Sequence, residues 1–258
     1  MCCDLDGVIW RGDESIPGSA DAVRALRDAG ARLAFLTNNS NLTIGEYLDK
    51  LAGMGVDAQA AEVLSSAQAA AGTLARELPA DARVLVCAGA GVRASLSDVG
   101  LHPVDDGDAA AVVVGWHREF DFDRLARAAA AVRAGARFLA TNTDATYPTP
   151  EGLLPGSGAI VAAVAAASGR EPEVVGKPEA ATVAMVRQRL GDAGIVIGDR
   201  ASTDGALAHA LGWPFALVLS GVTTRAAAAG EERVPDPAPP FVAENLAALV
   251  PELVQPNG

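Results

Sequence analysis

The chain has 258 residues, half of them apolar and few of them aromatic, and a formal net charge of -12 at pH 7. This length suffices for one large α/β domain or two smaller ones, with a core of mostly Ala, Val and Leu. So acidic a surface repels phosphate backbones and anionic membranes, so neither nucleic acid nor a membrane is expected as a partner. A site for an anionic substrate would therefore need a bound cation or local Lys and Arg.

The cysteines indicate a cytoplasmic protein. Cys2, Cys3 and Cys87 form an odd set without the spacing of a metal site, which favours a reducing compartment over a disulfide framework. We expect Cys2 and Cys3 to be buried in the first strand. No apolar run is long enough to span a bilayer and no signal peptide precedes the first motif, so no membrane span is expected.

Two aspartates one residue apart form the first motif, in Asp4-Leu5-Asp6-Gly7. Side chains at i and i+2 share a face of an extended segment. One carboxylate could attack phosphorus and form an acyl phosphate, while the other protonates the leaving alkoxide and later deprotonates water. Taken alone, however, the segment is better explained as a polar surface turn.

The second motif follows a predicted buried strand over residues 31–37. Thr37 and Asn38 could offer a hydroxyl and a backbone amide to phosphate oxygens, although a polar turn before a helix has the same composition. The next helix is predicted to begin at Thr43, with Glu46 completing a capping box.

The middle of the chain has its own strands and carries none of the outer motifs. We interpret residues 80–172 as an inserted α/β domain, with strands predicted at 83–88, 110–115 and 136–141. The glycine pattern at 89–94 resembles a dinucleotide fingerprint, but no second strand ending in an acid follows, so we predict a structural turn.

Four other residues in the chain are weak candidates for a site. Ser157 is predicted to cap a helix, because its flanking residues do not form a nucleophile elbow. The three histidines show no ligand spacing, and surface or core positions are expected for them; they are His102, His117 and His209.

The third and fourth motifs lie near the carboxyl-terminal end. Lys177 could neutralise a phosphoryl group and hold the nucleophile, although a solvated helix start is the ordinary role of such a lysine. Pro178 fits the first turn of that helix and Gly191 its end. Asp199 and Asp204 could bind Mg²⁺ together with Asp4, whereas helix capping by Asp199 is the competing explanation.

Every motif falls where a predicted strand gives way to a loop, including the strand at 193–199. This edge is where open parallel sheets bind ligands. The chain is therefore predicted to have an α/β fold, with a Rossmann-like parallel-sheet core formed by 1–79 and 173–258 around the insert at 80–172. After a strand at 214–221, the segment 234–240 is predicted to be extended, and a strand and helix then close the chain.

Together these segments resemble the haloacid-dehalogenase-like phosphatases, over nearly the whole chain. The resemblance rests on Asp4-Leu5-Asp6-Gly7-Val8, Leu36-Thr37-Asn38-Asn39-Ser40, Val175-Gly176-Lys177-Pro178, Ile197-Gly198-Asp199-Arg200 and Thr203-Asp204, and on Ala140-Thr141-Asn142-Thr143-Asp144, Leu154-Pro155-Gly156-Ser157-Gly158 and Leu219-Ser220-Gly221-Val222. It implies a Rossmann-like core with a large α/β cap inserted between the second and third motifs. Caps of this kind often pair, which leaves a homodimer through the cap open beside a monomer.

The resemblance also implies roles for the core residues. Asp4 would be the nucleophile and Asp6 the acid and base, while Thr37, Asn38 and Lys177 would hold the phosphate.

Mg²⁺ would be bound by Asp4, the carbonyl of Asp6 and Asp199, with Asp204 close by or acting through water. Substrate choice would be set by residues near the leaving group, namely Asn39, Asn142, Asp144 and Tyr147.

The sequence thus predicts a Mg²⁺-dependent phosphomonoesterase that acts on a small phosphorylated metabolite through an aspartyl-phosphate. Glycerol phosphate or phosphoglycolate is the first expectation for the substrate, followed by a nucleotide or sugar phosphate. Three alternatives stay open at this point: a non-catalytic relative that binds a ligand or partner, a phosphotransferase with the same intermediate, and a nicotinamide-dependent oxidoreductase based only on the 89–94 turn.

Overall fold

Strands and helices alternate along the chain in a computed structural model that describes residues 1–149, 152–223 and 239–254. The strands are β1 (Cys2–Asp4), β2 (Trp10–Arg11), β3 (Glu14–Ser15), β4 (Ala34–Thr37), β5 (Val63–Ser65), β6 (Arg83–Cys87), β7 (His102–Val104), β8 (Ala111–Val114), β9 (Arg137–Ala140), β10 (Thr146–Thr149), β11 (Gly152–Pro155), β12 (Glu173–Val174), β13 (Val196–Gly198), β14 (Phe215–Val218) and β15 (Phe241–Ala243). The α-helices are α1 (Ser19–Asp28), α2 (Ile44–Gly53), α3 (Ser66–Ala75), α4 (Ala90–Asp98), α5 (Phe122–Arg133), α6 (Ser157–Ser168), α7 (Ala180–Leu190), α8 (Ala206–Leu211) and α9 (Leu246–Leu253).

The first sheet has six parallel strands in the order β15-β14-β13-β1-β4-β5. Its strands are buried on both faces, which explains why their sequences are continuous apolar runs. In β4, for example, Phe35 packs into one hydrophobic cluster, while Ala34 and Leu36 pack into the cluster on the other face. Helices α1, α2 and α9 cover the first of these faces, and α7 and α8 cover the second.

The second sheet has five parallel strands in the order β12-β9-β8-β6-β7. Helices α3 and α4 pack on one face of this sheet, and α5 and α6 pack on the other. An antiparallel hairpin, β10 with β11, leads from β9 into α6. The chain therefore has the α/β fold that the sequence predicted, with two helix-covered parallel sheets.

The second sheet draws on residues outside the predicted insert of 80–172. Strand β12 at Glu173–Val174 hydrogen-bonds to β9, and α3 at Ser66–Ala75 shares a hydrophobic cluster with β6 and β8. Helix α3 lies before the predicted start of the insert and strand β12 lies after its predicted end. The chain therefore joins the second sheet earlier, and leaves it later, than the sequence predicted. The exact division into two domains stays a proposal.

Most predicted elements form, with shorter strands than expected. The strands predicted at 31–37, 193–199 and 214–221 are β4, β13 and β14. The closing strand and helix are β15 and α9, whereas the segment predicted to be extended lies outside the described residues up to residue 238. Cys2, Cys3 and Cys87 are free and buried, as predicted for the first two. Within the described ranges, no helix combines the length and apolarity that a bilayer span requires.

The predictions for the starts and ends of helices were partly correct. The capping box at the start of α2 is present, with Thr43 and Glu46 each accepting from the other's backbone N–H, and Gly191 ends α7. The prediction for Pro178 was wrong, because α7 begins at Ala180 and Pro178 lies in the turn before it. The cap assigned to Ser157 was also wrong, because Gly156 occupies the N-cap position and Ser157 is the first helical residue.

The glycine pattern after β6 lies where the start of α4 contacts the loop that follows β4. A Cβ on Gly89 would lie 2.1 Å from Asn41 Oδ1, and one on Gly91 would lie 2.1 Å from the Leu42 carbonyl oxygen. The Gly91 N–H donates to the Asn41 carbonyl at 2.9 Å. The start of α4 is therefore filled by the 40–42 backbone, which agrees with the predicted structural turn and removes the basis for a dinucleotide site.

Candidate active site

Three adjacent strands end at one point of the six-stranded sheet. β1 ends at Asp4 and β4 at Thr37, while β13 ends immediately before Asp199. Because parallel strands have their carboxyl ends on the same edge, these polar residues meet there although they are far apart in the sequence. All three residues are buried.

Lys177 joins two acids of this edge. Its Nζ donates to Asp4 Oδ1 and to Asp204 Oδ1, both at 2.7 Å, and the lysine side chain is buried. Burial alone lowers the pKa of Lys177, but the neighbouring carboxylates of Asp204 and Asp4 outweigh this and raise it. The ammonium therefore stays charged and fixes the orientation of Asp4.

Asp4, Asp199 and Asp204 form a buried acidic cluster whose oxygen atoms lie within 4.8 Å of one another. Burial raises the pKa of Asp4 well above its ordinary value, and burial followed by repulsion from Asp204 raises the pKa of Asp199 to about 7. With all three acids ionised, Lys177 leaves an excess of two negative charges. A single divalent cation would balance this excess, and hard oxygen ligands suit Mg²⁺.

The three acids are not equally free to bind a cation. Asp204 uses one oxygen for Lys177 and the other for the Arg200 N–H at 3.1 Å. Asp199 accepts from the Val222 N–H through its Oδ2 atom. Asp204 is therefore committed to holding Lys177 and the loop, which favours a place close to the cation over direct ligation.

Glycines make room for this cluster. A Cβ on Gly198 would lie 2.3 Å from Asp204 Cγ, and a Cβ on Gly221 would lie 1.8 Å from Asp199 Oδ2. Gly7 has φ +85°, and its Cβ would lie 2.5 Å from the same Asp199 oxygen. These positions need glycine because the acidic side chains pass directly over the backbone.

Thr37 and Asn38 extend the site along the edge of the sheet. The Thr37 hydroxyl donates to Asp6 Oδ2 at 3.3 Å and accepts from the Asn39 N–H at 3.0 Å. The Asn38 side chain spans the backbone of Lys177, accepting from its N–H at 2.7 Å and donating to its carbonyl at 3.3 Å. Asn38 thereby fixes the segment that carries the buried ammonium, a role that its sequence position did not reveal.

Asp6 faces the same pocket and is held by Trp10. Trp10 Nε1 donates to Asp6 Oδ1 at 3.0 Å. Burial, followed by the negative charge of Asp6 nearby, raises the pKa of Tyr147. Tyr147 lies on the β10–β11 hairpin, so the hairpin places a phenol near the carboxylate of the first motif.

Asn142 and Asp144 close the pocket from the side of the second sheet. Asn142 Nδ2 donates to the Asn38 carbonyl at 2.7 Å, and Asn142 Oδ1 accepts from the Asp144 N–H at 3.0 Å. The Asp144 carboxylate faces the Arg200 guanidinium at 3.7 Å. Both residues line the pocket. The side chain of Asn142 is thus used in hydrogen bonds to the backbone, one of which holds Asp144 in place.

The pocket brings together the predicted site residues except Asp204, which lies behind Lys177. Sequence reasoning did not assign a site role to several further lining residues, namely Trp116, Ser157, Arg200, Thr203 and Val222. Trp116 packs its ring against Tyr147 at a centroid distance of 5.2 Å. Arg200 follows the fourth motif directly, so its place beside Asp199 was the one signal available in the sequence.

Two family models match the chain. A haloacid dehalogenase-like hydrolase model covers residues 1–102, and a HAD-hydrolase-like model covers residues 174–249. An acid sugar phosphatase of Staphylococcus haemolyticus is 36% identical over 224 residues, which are 86% of this chain and 85% of the relative. The chain therefore belongs to the haloacid dehalogenase-like hydrolase family.

A D-glycerol 3-phosphate phosphatase of Mycobacterium tuberculosis is 40% identical over 230 residues, which are 87% of this chain. The matched part is 64% of that relative's length, so this chain corresponds to about two thirds of it. The solved structure of a glycerol phosphate phosphatase from Mycobacterium tuberculosis in complex with magnesium has a TM-score of 0.86 at 38% identity. The match covers 96% of this chain and 75% of the solved one.

Proposed function

We propose that the chain is a Mg²⁺-dependent phosphomonoesterase that hydrolyses a small phosphorylated metabolite through an aspartyl-phosphate. The observation that carries the proposal is the buried set at the sheet edge, in which Lys177 bonds Asp4 and Asp204 beside Asp199. An anion could enter this acidic pocket only with a cation present, and phosphoryl transfer depends mainly on positioning and on neutralising charge. The names of the three relatives described above, each a phosphatase, support the same reaction class.

In the proposed reaction, the Asp4 carboxylate attacks phosphorus and the bond from phosphorus to the ester oxygen breaks. Asp6 gives its proton to that leaving oxygen, so the product is a neutral alcohol. Asp6 then takes a proton from water, whose oxygen attacks the same phosphorus and breaks the acyl phosphate bond. Inorganic phosphate leaves, and both carboxyl groups return to their starting states.

The remaining residues hold the phosphoryl group and the cation. Lys177 and the Thr37–Asn38 turn would bind the phosphoryl oxygens. Asp4, Asp199 and the carbonyl of Asp6 would hold Mg²⁺, which when bound would neutralise the acidic cluster and the charge on the phosphoryl oxygens. The fit rests on the geometry, in which three carboxylates offer oxygen atoms within 4.8 Å of one another and two of them bond the same lysine.

The second sheet is proposed to act as the cap that selects the leaving group. Asp144 and Tyr147 line the pocket from that side. Asn142 holds Asp144 and the Asn38 carbonyl, and Asn39 holds the turn of the second motif. The division into a core of 1–79 and 173–258 and a cap of 80–172, a homodimer through the cap and a cytoplasmic location stay predictions.

The test is phosphate release from p-nitrophenyl phosphate by the full chain. We expect activity with Mg²⁺, loss of activity with excess EDTA, and a loss of at least about 10³-fold in kcat for Asp4→Asn, because the nucleophile is removed. Asp98→Asn, an exposed position on α4, serves as the matched control and should retain wild-type kcat.

Activity that persists in EDTA, or that survives Asp4→Asn, would contradict the mechanism. A folded protein that binds Mg²⁺ but turns over no phosphate ester would favour the non-catalytic alternative. Adding glycerol as an acceptor tests the phosphotransferase alternative, because such an enzyme would form a new phosphate ester in place of part of the free phosphate.

A further inference from the structure

Ser157 lines the candidate active-site pocket and carries a buried hydroxyl without a partner in the part of the chain that the structure describes. The residue is 2% exposed, and within the described ranges its Oγ is one of two buried side-chain polar atoms without a hydrogen-bond partner. The other, His117 Nε2, belongs to a residue that does not line the pocket. Ser157 lines the pocket together with Asp4 and Asp6. Because burying a hydroxyl without a partner is costly, the atom points to a group supplied by a ligand.

The glycines on either side hold Ser157 in this position. A Cβ on Gly156 would lie 2.2 Å from the Asp144 carbonyl oxygen, and one on Gly158 would lie 2.4 Å from the Thr143 carbonyl oxygen. The Gly158 N–H donates to the Asp144 carbonyl at 2.9 Å. The start of α6 is therefore packed closely against the preceding loop, which fixes the backbone that carries Ser157 at the pocket.

The charges around the pocket favour a neutral group at Ser157. Asp144 and Arg200, which line the same pocket as Ser157, face each other at 3.7 Å and offset one another. The lining as a whole contains four acids and two basic residues, namely Asp4, Asp6, Asp144 and Asp199 against Lys177 and Arg200. A second anionic group on the substrate would meet this acidic lining, whereas a hydroxyl can both donate to and accept from Ser157 Oγ.

We propose that the Ser157 hydroxyl binds a hydroxyl group of the leaving alcohol, which makes this site selective for phosphate esters of short neutral polyols. The inference rests on the proposed function, since it assigns the leaving-group end of the same pocket. Ser157 determines specificity here and takes no part in the chemical step.

Two three-carbon esters test the inference, glycerol 3-phosphate and n-propyl phosphate, which differ only in their hydroxyl groups. We expect the wild-type enzyme to prefer glycerol 3-phosphate in kcat/KM by at least about tenfold, because a pocket with an unpaired polar group discriminates against the analogue that leaves it unpaired. In Ser157→Ala, the ratio of the two kcat/KM values should fall about tenfold. Ser157→Cys, whose thiol is somewhat larger than the hydroxyl and a weaker hydrogen-bond donor, should also lower this ratio.

Ser168→Ala is the matched control. Ser168 lies at the other end of α6, where its hydroxyl donates to the Ala165 carbonyl at 3.3 Å. The ratio should stay at the wild-type value in this variant. Thermal unfolding of each variant checks that α6 still folds, and Ser157→Cys keeps the test decisive if Ser157→Ala is unstable.

The outcomes separate this inference from the proposed function. An unchanged ratio in both Ser157 variants overturns the inference, as does a larger loss for phosphoglycolate than for glycerol 3-phosphate, which would assign a carboxylate to Ser157. Wild-type turnover of p-nitrophenyl phosphate without preference for glycerol 3-phosphate also overturns the inference but leaves the phosphatase proposal intact. If the wild-type enzyme turns over no ester, both fail together.

Discussion

The two walls of the pocket differ in how completely their polar groups are used. The sheet-edge wall consists of Asp4, Asp6, Thr37, Lys177 and Asp199, and its side chains bond to one another or to the neighbouring backbone. The hairpin wall consists of Asp144, Thr146, Tyr147 and Ser157. It contains a loose ion pair to Arg200 and one hydroxyl without a partner.

This difference separates two tasks. A wall whose groups already hold each other is preorganised, so charge on a transferring phosphoryl group meets fixed partners at no further cost of reorganisation. A wall with unused hydrogen-bonding capacity can instead respond to the group that occupies it. The chemistry is therefore expected to depend on the sheet-edge wall, and discrimination between leaving groups on the hairpin wall.

The largest effect should follow removal of the buried ammonium. Lys177→Met keeps the length of the side chain but leaves Asp4 and Asp204 without their shared cation. We expect kcat for p-nitrophenyl phosphate to fall about 10³-fold, together with a lower Tm in EDTA, because buried carboxylates lose their partner. Lys50→Met is the control, since the only other lysine of the chain pairs at 3.4 Å with the exposed Asp13.

If kcat of Lys177→Met fell by less than tenfold, the proposed division of tasks between the two walls would be wrong. The residue of the sheet-edge wall that bonds two of its acids would then be dispensable. Circular dichroism at the assay temperature distinguishes this chemical loss from unfolding.

An intermediate effect should follow from filling the space behind the metal cluster. In Gly221→Ala the new Cβ would lie 1.8 Å from Asp199 Oδ2, so the carboxylate must move. We expect the Mg²⁺ concentration for half-maximal activity to rise about 10-fold or more, a usual penalty for disturbing the support of a metal ligand. Gly53→Ala is the control, because no atom lies within 4 Å of its Cβ at the end of α2.

If Gly221→Ala leaves the Mg²⁺ requirement unchanged while Gly53→Ala behaves as wild type, Asp199 does not bind the cation, and the metal assignment fails at that residue.

Much of the sheet-edge wall could be predicted from the sequence because its signals are local. Each motif stands directly after a short apolar run, and the carboxyl ends of parallel strands share one edge, so Asp4, Thr37 and Asp199 had to meet if the sheet formed. The same logic does not reveal the pairing of Asn38 with the Lys177 backbone, since it depends on how two distant loops dock.

The hairpin wall was less predictable because its residues are placed by tertiary packing. The sequence predicted Ser157 to cap a helix, and only the folded chain shows that Ser157 lines the pocket and that its hydroxyl has no partner among the described residues. Similarly, Gly221 appeared only as part of a family segment, and its need for glycine depends on the path of the Asp199 side chain.

The smallest effect should come from the hairpin wall, and the two tyrosines of the chain provide a matched pair. Tyr147→Phe removes the hydroxyl near the Asp6 carboxylate but keeps the ring beside Trp116. Loss of one polar group at this carboxylate should lower kcat/KM for p-nitrophenyl phosphate by about three- to tenfold, with little change in Tm.

Tyr47→Phe removes a partly buried hydrogen bond to the Asn39 carbonyl at 2.8 Å, so its loss should appear mainly as a Tm lower by about 2–4 °C. If instead Tyr147→Phe abolished activity to the extent expected of Lys177→Met, the hairpin wall would belong to the catalytic machinery. The separation of chemistry from selection in this pocket would then be wrong, because Asp6 would depend on a residue of the β10–β11 hairpin to act as acid and base.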